Sequence, residues 1–114
     1  MKKKTLLILL VAMVFCYSCE SDDPIPGVPD CVETAIIDYN NSAGLCSDAS
    51  VEEYIFQGKT VYVFQPGTCG ADMQANVIDE NCTLLGALGG ILGNTLINGE
   101  DFTTATFIKT VWRN

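Results

Sequence analysis

The chain has 114 residues, enough for one domain, with fourteen acidic residues, six basic ones and no histidine. Three of the basic residues are Lys2, Lys3 and Lys4; beyond them only Lys59, Lys109 and Arg113 face the fourteen acids, a formal charge of −11. Such an acidic chain, without a basic patch, is a poor partner for nucleic acid, and the lack of histidine removes the ordinary catalytic triad and the imidazole base.

The N-terminus reads as an export signal. Three lysines precede an apolar run, TLLILLVAMVF over residues 5–15, too short to span a bilayer but suited to a secretory signal. Ser18-Cys19 follows, a small residue before a cysteine, and this resembles the lipobox of bacterial lipoproteins. Phe15 before Cys16 is too bulky for the same cleavage. Residues 1–18 are therefore expected to be removed and Cys19 to become a diacylated, palmitate-bearing N-terminus. Each buried CH₂ adds about 0.8 kcal/mol of membrane affinity, so two or three chains make a stable anchor. Ser21-Asp22-Asp23 resembles the Ser/Asp-rich export signal of Bacteroidota surface lipoproteins. The expected location is the outer membrane, lipid-anchored, with display at the cell surface. Residues 20–30 (ESDDPIPGVPD), rich in proline and acid, read as an extended, solvated tether.

A small domain over residues 31–114 is expected to follow. Val32, Ala35, Ile36 and Tyr39 recur at helical spacing in residues 32–41, and Asp30 with Glu33 makes a capping-box pattern at the start. Ten residues alone do not hold a helix, so the stripe must pack on a sheet. Residues 51–65 (VEEYIFQGKTVYVFQ) are two β-branched and aromatic runs hinged on Gln57-Gly58-Lys59, a hairpin. Two further strands follow, at residues 75–79 and 83–88. The glycine-rich residues 86–99 read as a loop or a weakened strand end. Residues 101–112 place Phe102, Ala105, Ile108 and Trp112 at helical spacing, yet the density of threonine, isoleucine and valine favours a strand. The fold class is α+β: one helix on a four- to five-stranded antiparallel meander, stapled by disulfides.

An oxidising location and a small core make disulfides the first reading of Cys31, Cys46, Cys69 and Cys82; no Cys-x-x-Cys pair supports zinc or a redox centre. The meander selects among the three possible pairings. Cys46 leads into the first strand and Cys69 follows the second, so both sit at one end of the sheet. The third strand carries Cys82 to the other end, where an antiparallel helix begins with Cys31. The pairing expected is Cys46–Cys69 and Cys31–Cys82.

Chemistry is hard to find. Glu52 and Glu53 alternate faces of a strand and make no facing dyad. Asn98-Gly99-Glu100-Asp101 offers hard oxygens for a weak Ca²⁺ site, but lacks the alternating acids of a dedicated loop. No enzyme activity, cofactor or metal is expected. The candidate binding surface is the aromatic hairpin (Tyr54, Phe56, Tyr62, Phe64) or the glycine-rich loop with Asn94 and Asn98. A two-residue turn puts Ile55 with Tyr62 and Phe64, opposite Tyr54 and Phe56; a three-residue turn gathers all four aromatics on one face. The three-residue turn would either bury the aromatics under the helix or leave them as an exposed patch, and burial of Tyr62 and Phe64 is the expectation, because a domain this small needs its largest side chains in the core.

Cys31-Val-Glu, the hairpin from Tyr54 to Phe64, Pro66-Gly-Thr-Cys-Gly70, Asp79-Glu-Asn-Cys82 and Gly89-Gly90 together resemble a family of small Bacteroidota lipoproteins classed as a domain of unknown function. The resemblance covers nearly all of residues 31–112. Its motifs are turns, strands and cysteines, so it implies a fold and a location and no reaction. By architecture alone the domain is also similar to inhibitor-like and PepSY-like periplasmic modules. The functional expectation is a non-catalytic envelope module for a protein or glycan partner, with an inhibitor of a secreted enzyme as the alternative.

Overall fold

The computed structural model describes residues 25–114, so the segment read as an export signal, Cys19 and Ser21-Asp22-Asp23 lie outside the described residues. Helix α1 (Asp30–Asn40) precedes strands β1 (Ser50–Phe56), β2 (Lys59–Gln65), β3 (Gln74–Asp79) and β4 (Leu84–Gly89). A short ribbon, β5 (Leu96–Ile97) with β6 (Glu100–Asp101), and a 3-10 turn (Phe102–Thr104) lead into β7 (Thr106–Arg113). The large sheet has five antiparallel strands in the order β4-β3-β2-β1-β7. The α+β class is as the sequence implies, with the meander extended by β7 on the far side of β1.

Gln57 (φ 53°) and Gly58 (φ 75°) are both left-handed, which defines the two-residue type I′ hairpin. Phe56 pairs with Lys59, Tyr54 with Val61, Glu53 with Tyr62 and Val51 with Phe64. That register deals the large side chains to opposite faces. Val51, Tyr62 and Phe64 face α1 and join Val32 and Ile36, with Tyr39 and Trp112 at the margin. Phe56, Val61 and Val63 face the other way and join Ala75, Val77 and Ile97, with Phe102 and Ala105 against them. The helix covers one face, and the β5–β6 ribbon with the 3-10 turn covers the other.

Three local expectations are corrected. Asp30 is the first helical residue rather than the cap; Pro29 takes the cap position and no side chain bonds there. The Glu33 carboxylate instead accepts the Ile25 N–H at 2.8 Å. Ile25 and Val28 consequently pack beside α1, so the segment read as tether is docked from residue 25 onward. Ile37 is exposed, off the buried stripe of α1. In the C-terminal segment, Asp101 accepts the Thr103 N–H at 3.0 Å and caps the 3-10 turn, which delays β7 to Thr106.

Both disulfides pair as the topology requires, Cys31–Cys82 and Cys46–Cys69, with Cα separations of 6.1 and 5.6 Å. Around the second, Asp48 accepts the Thr68 N–H at 3.0 Å and the Thr68 hydroxyl at 2.6 Å, which lowers the Asp48 pKa. Gly67 (φ 103°) is confined there: a Cβ would overlap Asp48 Oδ1 and Cys46 Cβ.

The two edges of the sheet are blunted differently. β7 is bulged twice against β1, between Val51/Glu52 and between Glu53/Tyr54, and carries Lys109 and Arg113. Bulges and cations both discourage pairing with a further strand. On β4, the Asn94 side chain donates to Ala87 O at 2.7 Å and to Leu96 O at 2.9 Å, while its backbone exchanges two bonds with Gly89. Asn94 thus stops the β4 edge from within the chain.

Candidate functional site

The register decides which aromatics can meet a partner. Phe56, Tyr62 and Phe64 are 2 %, 1 % and 7 % exposed, so Tyr62 and Phe64 are buried as a small core requires, and none of the three can serve the candidate binding surface. Tyr54, paired with Val61 on the ribbon side, is half-buried. Its ring meets Phe102 and Phe107 edge-on at 5.2 and 5.5 Å. Of the two asparagines, Asn94 serves the β4 edge, and Asn98 donates to Gln57 Oε1 at 3.5 Å, tying the ribbon to the first hairpin.

Tyr54 forms one wall of a groove of about 490 Å³ between the sheet and the 3-10 turn, with Leu88, Thr95, Asp101, Phe102 and Ala105 completing it. Its lining is mainly apolar, with Asn94, Thr95, Asp101 and Thr103 as its polar residues. The bond from the Thr103 N–H, at 3.0 Å, favours the charged form of Asp101 and lowers its pKa. Asn94 also borders a second hollow, of about 690 Å³, with Asp72, Gln74, Ile91 and Leu92. The two concavities are therefore neighbours that share Asn94.

The second hollow is bordered by a turn within the glycine-rich loop whose residues the patterning did not single out. Gly90 and Gly93 are left-handed, and the Gly93 N–H donates to Gly90 O at 3.1 Å, closing a tight turn. Ile91 and Leu92 are carried on that turn, 83 % and 93 % exposed. The turn is fixed at its base by the reciprocal Gly89–Asn94 bonds of 2.8 and 3.0 Å. The available signal was two branched aliphatics between glycines, inside residues 81–99, which hold no charged residue at all.

The chemistry searched for in the sequence finds little geometry. Glu52 accepts from Gln65 Nε2 at 3.4 Å, and Glu53 lies on the opposite face against Tyr62. In the Asn98–Asp101 stretch, Glu100 takes bonds from Gln57 Nε2 at 3.3 Å and the Thr104 hydroxyl at 2.6 Å. Its oxygens serve the turn, and among the described residues no group of acidic, cysteine or histidine side chains is arranged to hold a metal ion. No helix among the described residues is long and apolar enough to cross a membrane.

These features define a small, disulfide-stapled α+β domain with one apolar, pre-shaped face. Its chain belongs to the family described as a domain of unknown function (DUF6970), which matches residues 38–114. The match begins inside α1 and takes in both strand systems. No curated protein and no solved structure matches the chain.

Proposed function

We propose that this chain is a lipid-anchored protein of the bacterial cell envelope, held at the outer membrane through Cys19, whose domain is a non-catalytic interaction module. The observation that carries the module reading is the Ile91-Leu92 tip. Two branched aliphatic side chains held in water on a rigid turn, beside an apolar groove, are costly unless something covers them. The partner class is a protein or glycan at the cell surface or in the periplasm. The same protruding tip favours a second reading, an inhibitor that seats its loop in the cleft of a secreted or envelope enzyme.

Three experiments test this. Photoreactive benzoyl-phenylalanine in place of Leu92, in the full-length chain in its own membranes, should give adducts heavier than the chain on irradiation; their absence would overturn the module. The anchor is tested separately. Cys19→Ala should abolish palmitate labelling and release the protein from membranes or leave it unprocessed, whereas continued labelling would exclude that site. Replacing Ser21, Asp22 and Asp23 with alanine in the same assay should keep the protein membrane-bound but shield it from protease added to intact cells. Unchanged protease sensitivity would reduce the acidic run to a linker.

A further inference from the structure

We infer that the hollow between α1, the segment leading into it and Trp112 is a binding site for a neutral glycan. It shares no residue with the two concavities described above, so it is a second site, independent of the Ile91-Leu92 tip.

The hollow holds about 350 Å³ and is built from three parts of the chain. Ile25 forms one wall, fixed there by the bond from its N–H to the Glu33 carboxylate at 2.8 Å. The far end of α1 supplies Ile37 and Asn40, and Asn41 follows as the cap. β7 supplies Trp112, and a bulge puts it there. The register with β1 passes from Trp112 to Thr110, skipping Val111, and Val111 and Trp112 both pack on the α1 side. In an unbroken strand these neighbours would face opposite ways, and re-aiming a side chain is what bulges near binding sites do. Tyr39 braces the indole at 6.0 Å.

The side chains gathered here select the ligand. A pyranose ring has faces of C–H bonds and a rim of hydroxyls, each of which can donate and accept. Trp112, Ile25 and Ile37 suit the faces, and an asparagine carboxamide, with a donor and an acceptor side by side, suits the rim. The end of α1 is closed without those carboxamides. The Asn41 N–H reaches Ile37 O at 3.1 Å, and the Ser42 hydroxyl donates to Tyr39 O at 2.6 Å. Charge narrows the class further. Glu33 and the carbonyl end of α1, which has no basic residue in its last turn, make the hollow electronegative and repel an anionic sugar. One indole, with one carboxylate already holding the Ile25 N–H, makes a poor cage for an ammonium ion. A neutral glycan remains.

Trp112 is the one tryptophan of the chain, so its emission reports from the site itself. The test titrates the full-length chain, in a detergent without a sugar headgroup, with maltohexaose, cellohexaose, xylohexaose and mannohexaose. At least one should shift the emission saturably, and equally at low and physiological salt. Asn40→Ala and Asn41→Ala should each weaken that binding about fivefold, the effect of one neutral hydrogen bond. Both residues are exposed, so the fold is kept, and an unchanged melting temperature verifies that. The site is overturned by no shift with any of the four, or by a shift that survives both substitutions. A response to choline or to polygalacturonate in place of the neutral sugars overturns the ligand class. None of these outcomes touches the tip, whose reading stands or falls by the crosslinking at position 92.

Discussion

Tyr62→Ala should cost the domain about 3–5 kcal/mol, the range for emptying a large core side chain. Tyr62 is the largest fully buried side chain, in the middle strand of the sheet, and it packs among Val32, Ile36, Val51 and Phe64. Truncation removes the ring on which α1 rests and leaves a cavity that a sheet and a disulfide-tied helix cannot readily collapse around. Phe64→Ala belongs to the same range, since its ring is met edge-on by Tyr39 at 5.1 Å. The hydroxyl adds a pH signature. Burial, then the nearby Glu53 and Glu80 carboxylates, push the Tyr62 pKa up to about 12. A folded pKa above the unfolded one means the native state holds the proton longer. That contribution is complete below the ordinary tyrosine pKa of about 10 and is lost as pH rises through about 12. Tyr62→Phe keeps the ring and should remove the highest step from the tyrosinate absorbance titration, while Tyr62→Ala lowers the thermal midpoint. A melt of Tyr62→Ala matching the native chain would sink the assignment of this ring to the core.

Loss of the Cys31–Cys82 bridge is the other large effect. It closes a separation of 51 residues, so on the chain-entropy model removing it with the pair Cys31→Ser and Cys82→Ser costs about 4 kcal/mol. The Cys46–Cys69 bridge, at 23 residues, gives about 3.4 kcal/mol on the same scale. Against a total stability of about 5–15 kcal/mol, either is a large share. The first bridge also does local work. α1 has 11 residues and no side-chain cap, so its position depends on Val32, Ile36 and the sulfur link at its first turn. Denaturant unfolding of the double variant should show the lower midpoint, and limited proteolysis should cut first within α1. Retention of native stability would mean that packing alone holds the helix.

Much of this was readable from residues because the signals were strong and local. The β-branched and aromatic runs of β1 and β2, the glycine hinge between them, and the density of threonine, isoleucine and valine in β7 each favour a strand. The disulfides followed, since strand direction alone fixes which cysteines share an end. The turn length stayed open because a type I′ turn prefers Asn-Gly or Asp-Gly, and here Gln57 adopts the left-handed conformation instead. Register determines the face of every aromatic, so the binding surface could not be placed without it. The second layer was hidden for another reason. β5 and β6 have two residues each, too few for any period, and the cover they provide hangs on Ile97 and Phe102. The Asp30–Glu33 cap failed because Glu33 found a donor outside the helix, at Ile25, a partner no window around the helix start contains.

The pairing of the first strand with the last has a consequence for how the chain acquires its shape. β1 receives β2 at once through a two-residue turn, but its other neighbour is β7, so that Ile55 waits for Thr106 and Ser50 for Arg113. The ribbon that covers Phe56, Val61 and Val63 is likewise made only after β4. A chain that grows from its N-terminus therefore first forms a helix and a hairpin with one greasy side bare and one ladder half-bonded. Contacts so distant in sequence close slowly, because loop closure must precede their reward. During that interval the nascent domain depends on being held apart from its neighbours, and the Cys46–Cys69 link, whose partners are both present once β2 is through, is the first covalent stop against misfolding.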